Sequence, residues 1–311
     1  MQILCPINKK NEIMPLVKLG AERFYTGASA KIMFDKETND GGTIVNCRPW
    51  GHCNFNSLVE LREAVDLIHK LKKKVYLAIN SPSYSESEIS QIMRFLQSFK
   101  DLDGLIVSDI SLIIEIRKKF KGMMLIASTG AHILNGEAVK FYECLGVKNI
   151  VIPRHFTVKE IEQMVKSNPH TEFECFIKNE GCFFTQGLCF FSHDLFMPKG
   201  INCSCGHLNG FKVHSKLPDK NKKIEKWLRN FREIAFTQCG ACAIYDLKKA
   251  GVKKIKIVGR GEPFQRKMDD FEFINDAVNK THLSREKFMD FVRTNHERIY
   301  KQKCKNNCSY D

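Results

Sequence analysis

Four cysteines near the middle of this 311-residue sequence are spaced in a way that suits chemistry. Six residues separate Cys182 from Cys189, and Cys203 follows after thirteen more. Cys239 lies beyond Cys203 with thirty-five residues between them, and the whole chain contains 13 cysteines. Structural disulfides are rare in a reducing cytosol, so a cluster of this kind favours metal binding or thiol chemistry.

A second set of cysteines lies outside this quartet. Cys242 comes three positions after Cys239, where a helix is expected to begin, and a helix N-terminus lowers the pKa of a thiol. Four thiols could together hold a second metal site: Cys205, Cys242, Cys304 and Cys308. The alternative is that Cys304 and Cys308 belong to a polar tail without a role.

The other cysteines carry weaker signals. Cys144 and Cys175 lie inside apolar helical and strand-like runs, so we expect both to be small buried side chains. For Cys5, Cys47 and Cys53 the sequence does not distinguish a metal ligand, a reactive thiol and a buried side chain.

The elements that must position these residues follow a regular order. Short β-like runs alternate with amphipathic helical stretches, and there are eight candidate strands, from "QILCPI" and "RFYTGA" to "EFECFI" and "KIKIVGR". Glycines in "LGA", "LGV" and "AGV" are typical of helix ends before a buried strand. This alternation predicts an α/β fold, and eight units favour a closed (β/α)8 barrel of the TIM type. No glycine-rich phosphate loop follows the first strand, so nothing supports dinucleotide binding.

Two segments interrupt the alternation. One is a Cys-rich insertion over residues 181–238, which contains most of the first quartet. The other is a short helical C-terminal extension over residues 263–311, which carries Cys304 and Cys308. We therefore expect one barrel over residues 1–262 that includes the insertion, followed by the extension.

Polar side chains end four of the predicted strands or follow them. These candidate catalytic residues are Asn80, His132, Arg154 and Arg260. In a parallel barrel the carboxyl ends of all strands meet at one mouth, so we expect the four side chains to converge there. Two arginines at that mouth would clamp a carboxylate or a phosphate through forked hydrogen bonds.

Three stretches of the chain resemble the collagenase-like U32 peptidase family, and the resemblance runs over residues 1 to about 262. They are "LVELREAVDLIHKLKKKVYLAIN", "ASTGAHILNGEAVKFYECLGVKNIVIPR" and "AGVKKIKIVGR". The family's cysteine pattern falls on Cys182, Cys189, Cys203 and Cys239. That family includes oxygen-independent hydroxylases of tRNA, of ribosomal RNA and of the ubiquinone precursor. The chain departs from the family pattern at Gly130, His132, Lys178 and Val258, which indicates an altered substrate pocket.

The resemblance implies a cofactor and a co-substrate. The four thiolates would hold a 4Fe-4S cluster, whose coordination four cysteines complete. The choice between Cys203 and Cys205, and that between Cys239 and Cys242, as ligands of the first or the second site stays open. Tetrahedral zinc is the rival metal because it also takes four thiolates, although two cysteines with six residues between them make a poor zinc knuckle. Prephenate, a dicarboxylate, is implied as oxygen donor, held by the polar residues at the strand ends.

The charge distribution bears on the substrate. The net charge is +14, and residues 212–311 carry 24 Lys and Arg against 13 Asp and Glu. A basic surface suits RNA because neutralising phosphates supplies affinity, whereas the alternative is that these lysines only solubilise helices. No apolar run is long enough to span a bilayer and the start lacks the layout of a signal peptide, so we expect a cytoplasmic protein.

Three functions are compatible with these patterns. The first is an iron-sulfur enzyme that hydroxylates or otherwise oxidises an RNA, a small molecule or a peptide, with an electron donor or acceptor protein as partner. The second is a peptidase, although the sequence contains neither His-Glu-x-x-His nor Gly-x-Ser-x-Gly, and a Cys-His pair would be visible only in space. The third is a non-catalytic subunit that relays electrons in a hetero-oligomer.

Overall fold

The chain folds into the predicted (β/α)8 barrel. A computed structural model describes residues 1–34, 45–48, 50–179, 212, 214 and 216–310, without the side chains of residues 227–236. Its strands are Gln2–Pro6 (β1), Arg23–Gly27 (β2), Lys74–Ile79 (β3), Gly104–Val107 (β4), Leu125–Ala127 (β5), Asn149–Val151 (β6), Glu172–Lys178 (β7) and Lys254–Ile257 (β8). All neighbouring strands are parallel and follow chain order, and β8 pairs with β1 to close the barrel.

Helices connect the strands on the outside of the barrel. Within the described residues they are Ile13–Lys18 (α1), Ala30–Phe34 (α2), Leu58–Lys70 (α3), Glu86–Gln97 (α4), Ile110–Lys119 (α5), Gly136–Cys144 (α6), Val158–Ser167 (α7), Pro218–Thr237 (α8), Ile244–Lys249 (α9), Phe264–Asn279 (α10) and Arg285–Tyr300 (α11). Two of them begin with a complete capping box, in which Ser85 and Thr157 each exchange hydrogen bonds with a glutamate three residues later.

The predicted helix ends are confirmed at three glycines. Gly20, Gly146 and Gly251 have φ angles of +98°, +80° and +90°, a conformation that residues with a Cβ rarely adopt. Each glycine lies immediately before the short connection to the next barrel strand. The sequence pattern therefore marked true helix ends because the backbone reversal there requires glycine.

Two apolar layers hold the barrel together. The interior is filled by Leu4, Tyr25, Tyr76, Ala78, Ile106, Ile126, Val151 and Phe176. A larger layer lies between the strands and the surrounding helices, and α10 contributes Phe271, Ile274 and Ala277 to it. The predicted division at residue 262 stays a prediction. In the described part of the chain, no helix combines the length and apolar character that a membrane span requires.

Buried tyrosines predict a loss of stability in alkali. Burial raises the pKa of Tyr76 from 10.0 to about 12, and burial also raises the pKa of Tyr84, Tyr142, Tyr300 and Tyr310. A phenol whose pKa is higher in the folded state contributes its full stabilisation below the unfolded pKa and loses it as the pH rises through the folded pKa. For Tyr76 the window runs from about pH 10 to about pH 12, at about 1.4 kcal/mol per pH unit.

Urea unfolding at pH 9, 10 and 11 measures this effect. We expect the free energy of unfolding to be lower at pH 11 than at pH 10, and the Tyr76→Phe variant to show a smaller decrease. A free energy that is constant from pH 9 to 11 would contradict the assignment of buried, neutral phenols.

Candidate functional site

The four polar residues predicted at strand ends all lie at the carboxyl end of the barrel, here called the mouth. Asn80 directly follows β3, and Arg154 and Arg260 lie three residues after β6 and β8. His132 caps the 3-10 helix Thr129–Ala131 that follows β5. Parallel strand order brings these positions to one end of the molecule, as the sequence predicts.

Arg260 is the most constrained of the four. Its residue is 5% exposed, and its guanidinium donates from Nη2 to Asn46 Oδ1 at 2.8 Å and from Nη1 to Asn54 Oδ1 at 3.2 Å. The guanidinium carbon also lies 5.9 Å from the centre of the Tyr25 ring. Burial lowers the pKa of Arg260. A guanidinium of this kind is fixed in direction and largely removed from water.

Asn46 and Asn54 are functional candidates that the sequence did not identify. Both lie in the loop between α2 and α3, and both are buried. The Asn46 amide nitrogen donates to Asn54 Oδ1 at 3.0 Å, and the Asn54 amide nitrogen donates to the backbone oxygens of Arg48 and Trp50 at 2.7 and 2.9 Å. No spacing pattern marks such residues, because their shared partner Arg260 is more than 200 positions away.

Gly27 leaves the space in which this network forms. A Cβ at Gly27 would collide with Arg260 Nη1 and Asn54 Oδ1. We predict that Gly27→Ala displaces the guanidinium and lowers the free energy of unfolding by about 1 to 3 kcal/mol. Chemical denaturation compares it with Gly122→Ala, where nothing lies within 4 Å of the added atom, so a change within about 0.5 kcal/mol is expected. Equal stability of the two variants would contradict this role.

Asn80 joins three strand ends to the same loop. Its amide nitrogen donates to Ser128 Oγ at 2.8 Å, and its Oδ1 accepts from the backbone nitrogen of Cys47 at 3.2 Å. Its backbone oxygen accepts from Cys47 Sγ at 3.0 Å and from Ser108 Oγ at 3.2 Å. Asn80 therefore holds residues 45–48 against the mouth and is linked to Arg260 through the neighbouring Asn46.

His132 and Arg154 lie nearby with different surroundings. His132 has a left-handed backbone with φ of +56°, and its Nδ1 is buried without a hydrogen-bond partner among the described residues. The Arg154 guanidinium carbon lies 4.8 Å from the centre of the Phe176 ring inside the barrel. The structure places both at the mouth, and their catalytic roles stay predictions.

Cys239 is the one member of the first quartet that lies within the described residues; Cys182, Cys189 and Cys203 lie outside them, as does Cys205. On one side of Cys239, the backbone nitrogen of Gly240 donates to Ile177 O at 2.8 Å and that of Asn179 donates to Gln238 O at 3.0 Å. On the other side, Cys239 N donates to Asn307 O at 3.0 Å and Cys239 O accepts from Ser309 N at 2.9 Å. Cys239 is thus fixed between the end of β7 and the C-terminal tail.

A cavity of about 460 Å³ opens beside Cys239. Its lining includes Lys178, His296, Tyr300 and Cys304. Cys304 therefore faces the same space as a member of the first quartet, and a cavity of this size with a thiol at its wall is compatible with a metal cluster. The second set, with Cys242, Cys304 and Cys308 as its described members, stays a prediction: across the described ranges no three Cys, His, Asp or Glu side chains form a metal-binding group.

Lys178 is one of the positions at which the sequence departs from the family pattern. Its Nζ lies 3.9 Å from Asp270 Oδ1 and 4.8 Å from the centre of the Tyr300 ring. Asp270 also accepts hydrogen bonds from Tyr300 Oη at 2.6 Å and from Asn179 Nδ2 at 2.5 Å. Lys178 thus faces α10 and α11 outside the barrel.

The remaining cysteines divide by burial. Cys175 is buried, as expected, whereas the expectation for Cys144 is wrong because it is exposed at the last residue of α6. Cys5, Cys47 and Cys53 are buried. Burial raises the pKa of Cys5 and of Cys53, which disfavours their reactive thiolate forms.

The fold and the site together define a (β/α)8 barrel protein with a buried arginine and several polar groups at its mouth and a fixed cysteine beside β7. The chain belongs to peptidase family U32, whose family model matches residues 9–308. The recognised family resemblance is thereby confirmed.

Curated relatives match parts of the chain. A tRNA hydroxylation protein P of Haemophilus influenzae is 29% identical over 134 residues, which cover 42% of this chain and 29% of that protein. A 23S rRNA 5-hydroxycytidine synthase of Escherichia coli is 28% identical over 214 residues, covering 67% of this chain and 31% of that protein. An uncharacterized protease of Methanocaldococcus jannaschii is 26% identical, covering 66% and 46%. The matches span less than half the length of these relatives.

A solved structure supports the fold. The U32 peptidase Mk0906 superimposes with a TM-score of 0.52 at 15% identity, covering 85% of this chain and 94% of that one. Similarity at this level of identity concerns the barrel architecture alone.

Proposed function

We propose that this chain is an iron-sulfur enzyme that hydroxylates an RNA base without molecular oxygen. The names of two relatives, a tRNA hydroxylation protein and a ribosomal RNA hydroxycytidine synthase, support the substrate class. The basic composition of residues 212–311 agrees with an RNA substrate, because lysines and arginines neutralise phosphates. A small-molecule or peptide substrate is the alternative.

The observation that carries the cofactor proposal is the position of Cys239. The segment 238–240 runs beside residues 177–179 at the end of β7. In the sequence, Cys182 comes three positions after Asn179, so the Cα atoms of these two residues can be at most about 10 Å apart. Cys239 is thus fixed where the segment with Cys182 and Cys189 begins, which suits a shared set of thiolate ligands.

The donor set suits a 4Fe-4S cluster held by Cys182, Cys189, Cys203 and Cys239. When bound, such a cluster would supply one-electron transfer. The backbone pairing of Cys239 would hold its sulfur in place, and the Asp270 carboxylate would balance the charge of Lys178 near that sulfur. Cys205 is the alternative to Cys203, and zinc is the rival metal.

Arg154 and Arg260 at the mouth would bind and orient an anionic oxygen donor. Hydroxylation replaces a C–H bond with a C–OH bond and removes two electrons from the base, so it needs an oxygen source and an electron acceptor. We assign the role of oxygen source to a dicarboxylate such as prephenate, which two guanidinium groups can bind through forked hydrogen bonds. We assign the role of electron acceptor to a partner electron-transfer protein.

Proteolysis has less support. A cysteine nucleophile needs a lowered pKa, whereas burial raises the pKa of Cys5 and Cys53 in this chain. A non-catalytic electron-relay subunit remains the other alternative, and a second cluster with Cys205, Cys242, Cys304 and Cys308 would favour it.

Iron, sulfide and zinc contents of protein purified without oxygen test the cofactor. About four irons per chain with matching sulfide support one cluster, and about eight support two. Zinc without sulfide after anaerobic expression would rule out the redox mechanism. Mass spectrometry of tRNA and ribosomal RNA from cells with and without the gene then tests the substrate, with the loss of a hydroxylated nucleoside as the expected result.

A further inference from the structure

Arg260 has a buried charge, and within the part of the chain that the structure describes no carboxylate pairs with it. The described titratable groups with the largest influence on its pKa are Tyr25, Cys53, Arg48 and Cys47, and none of them is a carboxylate. Its hydrogen bonds go to the neutral amide oxygens of two asparagines instead. An isolated buried charge is costly unless a counter-charge joins it. Among the described residues no group supplies that counter-charge, which suits an anionic ligand.

The two amide groups have defined orientations. Asn54 Nδ2 donates to two backbone oxygens, those of Arg48 and Trp50, which leaves its Oδ1 toward Arg260. Asn46 Nδ2 donates to Asn54 Oδ1, and Asn46 Oδ1 accepts from Arg48 N at 3.0 Å as well as from Arg260. Reversing either amide would break these bonds. Both amide oxygens thus accept hydrogen bonds from Arg260, and neither oxygen carries a formal charge.

We propose that Asn46 and Asn54 are positioning residues that fix the direction of the Arg260 guanidinium and leave its positive charge to a small anionic ligand at the mouth. Two of the five guanidinium N–H groups are used by the asparagines, so the others can serve a ligand. Because Arg260 is 5% exposed, a small carboxylate or phosphate compound fits better than a nucleic-acid backbone. This proposal rests on the proposed function only in assigning the mouth to the anionic co-substrate.

Changing the size of residue 46 and changing its charge are expected to weaken anion binding to different extents. The order of the two effects distinguishes a positioning role from a merely structural one. Asn46→Ala removes one of the two hydrogen bonds that orient the Arg260 guanidinium but leaves the Arg260 charge available to a ligand, so we expect about 10-fold weaker anion binding. Asn46→Asp keeps the size and supplies a permanent counter-charge, so we expect about 100-fold weaker binding. A residue needed only for packing would show the reverse order, because the isosteric aspartate disturbs packing less than alanine.

Calorimetric titration of the full chain with malonate and, separately, with inorganic phosphate measures this order. Preference for malonate indicates a dicarboxylate ligand, and preference for phosphate indicates a phosphorylated one. Asn56→Asp is the matched control, since Asn56 is exposed in the same loop, and its affinities should equal those of the unmodified protein. Circular dichroism checks folding, and Asn54→Asp replaces Asn46→Asp if the latter does not fold.

The proposal is overturned if the unmodified protein binds neither anion, or if Asn46→Asp binds as tightly as Asn46→Ala or tighter. Failure of the proposed function is distinguishable. Intact anion binding with the expected order, together with unchanged RNA hydroxylation in cells that lack the gene, would remove the RNA substrate and retain the anion site.

Discussion

Replacing Lys267 with methionine is expected to lower the free energy of unfolding by about 3 to 5 kcal/mol. The Lys267 side chain is 1% exposed, and its Nζ donates to both carboxylate oxygens of Glu12 at 2.9 and 3.0 Å. Asn8 Oδ1 accepts a further bond from the same nitrogen. Methionine has a similar size, so most of the loss comes from the Glu12 carboxylate, which stays buried without its counter-charge.

Urea unfolding followed by circular dichroism measures the loss, and a double variant identifies its origin. Glu12→Gln combined with Lys267→Met removes both charges, so we expect it to recover most of the stability lost by Lys267→Met alone. The matched control is Lys10→Ala, which breaks an ion pair of similar length, 2.7 Å, between Lys10 and Glu63, whose side chains are 43% and 51% exposed. An exposed pair contributes at most about 1 kcal/mol. A Lys267→Met loss as small as that of the control would contradict the argument.

This ion pair has a structural consequence for the mouth. Lys267 lies in the first turn of α10, seven residues after Arg260, and Glu12 follows β1. The pair therefore ties the helix that follows β8 to the loop that follows β1. Losing it would loosen the segment that carries Arg260, so Lys267→Met should also weaken anion binding.

The barrel could be predicted from the sequence because each of its signals is local. Buried parallel strands are short apolar runs, and glycines at 20, 146 and 251 mark the helix ends before them. The positions of Asn80, His132, Arg154 and Arg260 followed from the same reasoning, since parallel order alone places the residues after the strands at one end.

The partners of those residues could not be predicted because they are set by tertiary contacts. Arg260 binds Asn54 and Asn46 across 206 and 214 positions, and Lys267 binds Glu12 across 255. No periodicity connects residues at such separations. The prediction that Cys144 is buried was wrong for a related reason. An apolar helical stretch predicts a buried face, but the burial of the last residue of α6 depends on which tertiary contacts form at that helix end.

Replacing Cys239 with alanine is expected to reduce the iron and sulfide content of anaerobically purified protein because the proposed cluster loses one of four thiolates. The content should fall about 10-fold or more if the chain holds one cluster, and to about four irons per chain if it holds two. The fold should persist, since the backbone nitrogen and oxygen of Cys239, rather than its sulfur, bond to Asn307 and Ser309. The measurement is iron and sulfide analysis with electron paramagnetic resonance, and circular dichroism checks the fold.

Cys144→Ala is the matched control because Cys144 is exposed and lies outside both predicted metal sites, so its iron content should equal that of the unmodified protein. Cys304→Ala then distinguishes one cluster from two. Because Cys304 lines the cavity beside Cys239, its loss should leave about four irons per chain if it serves a second cluster, and should leave the iron content unchanged if it only borders the first. Full iron content in Cys239→Ala would show that Cys239 is not a ligand and would remove the structural basis of the cofactor proposal.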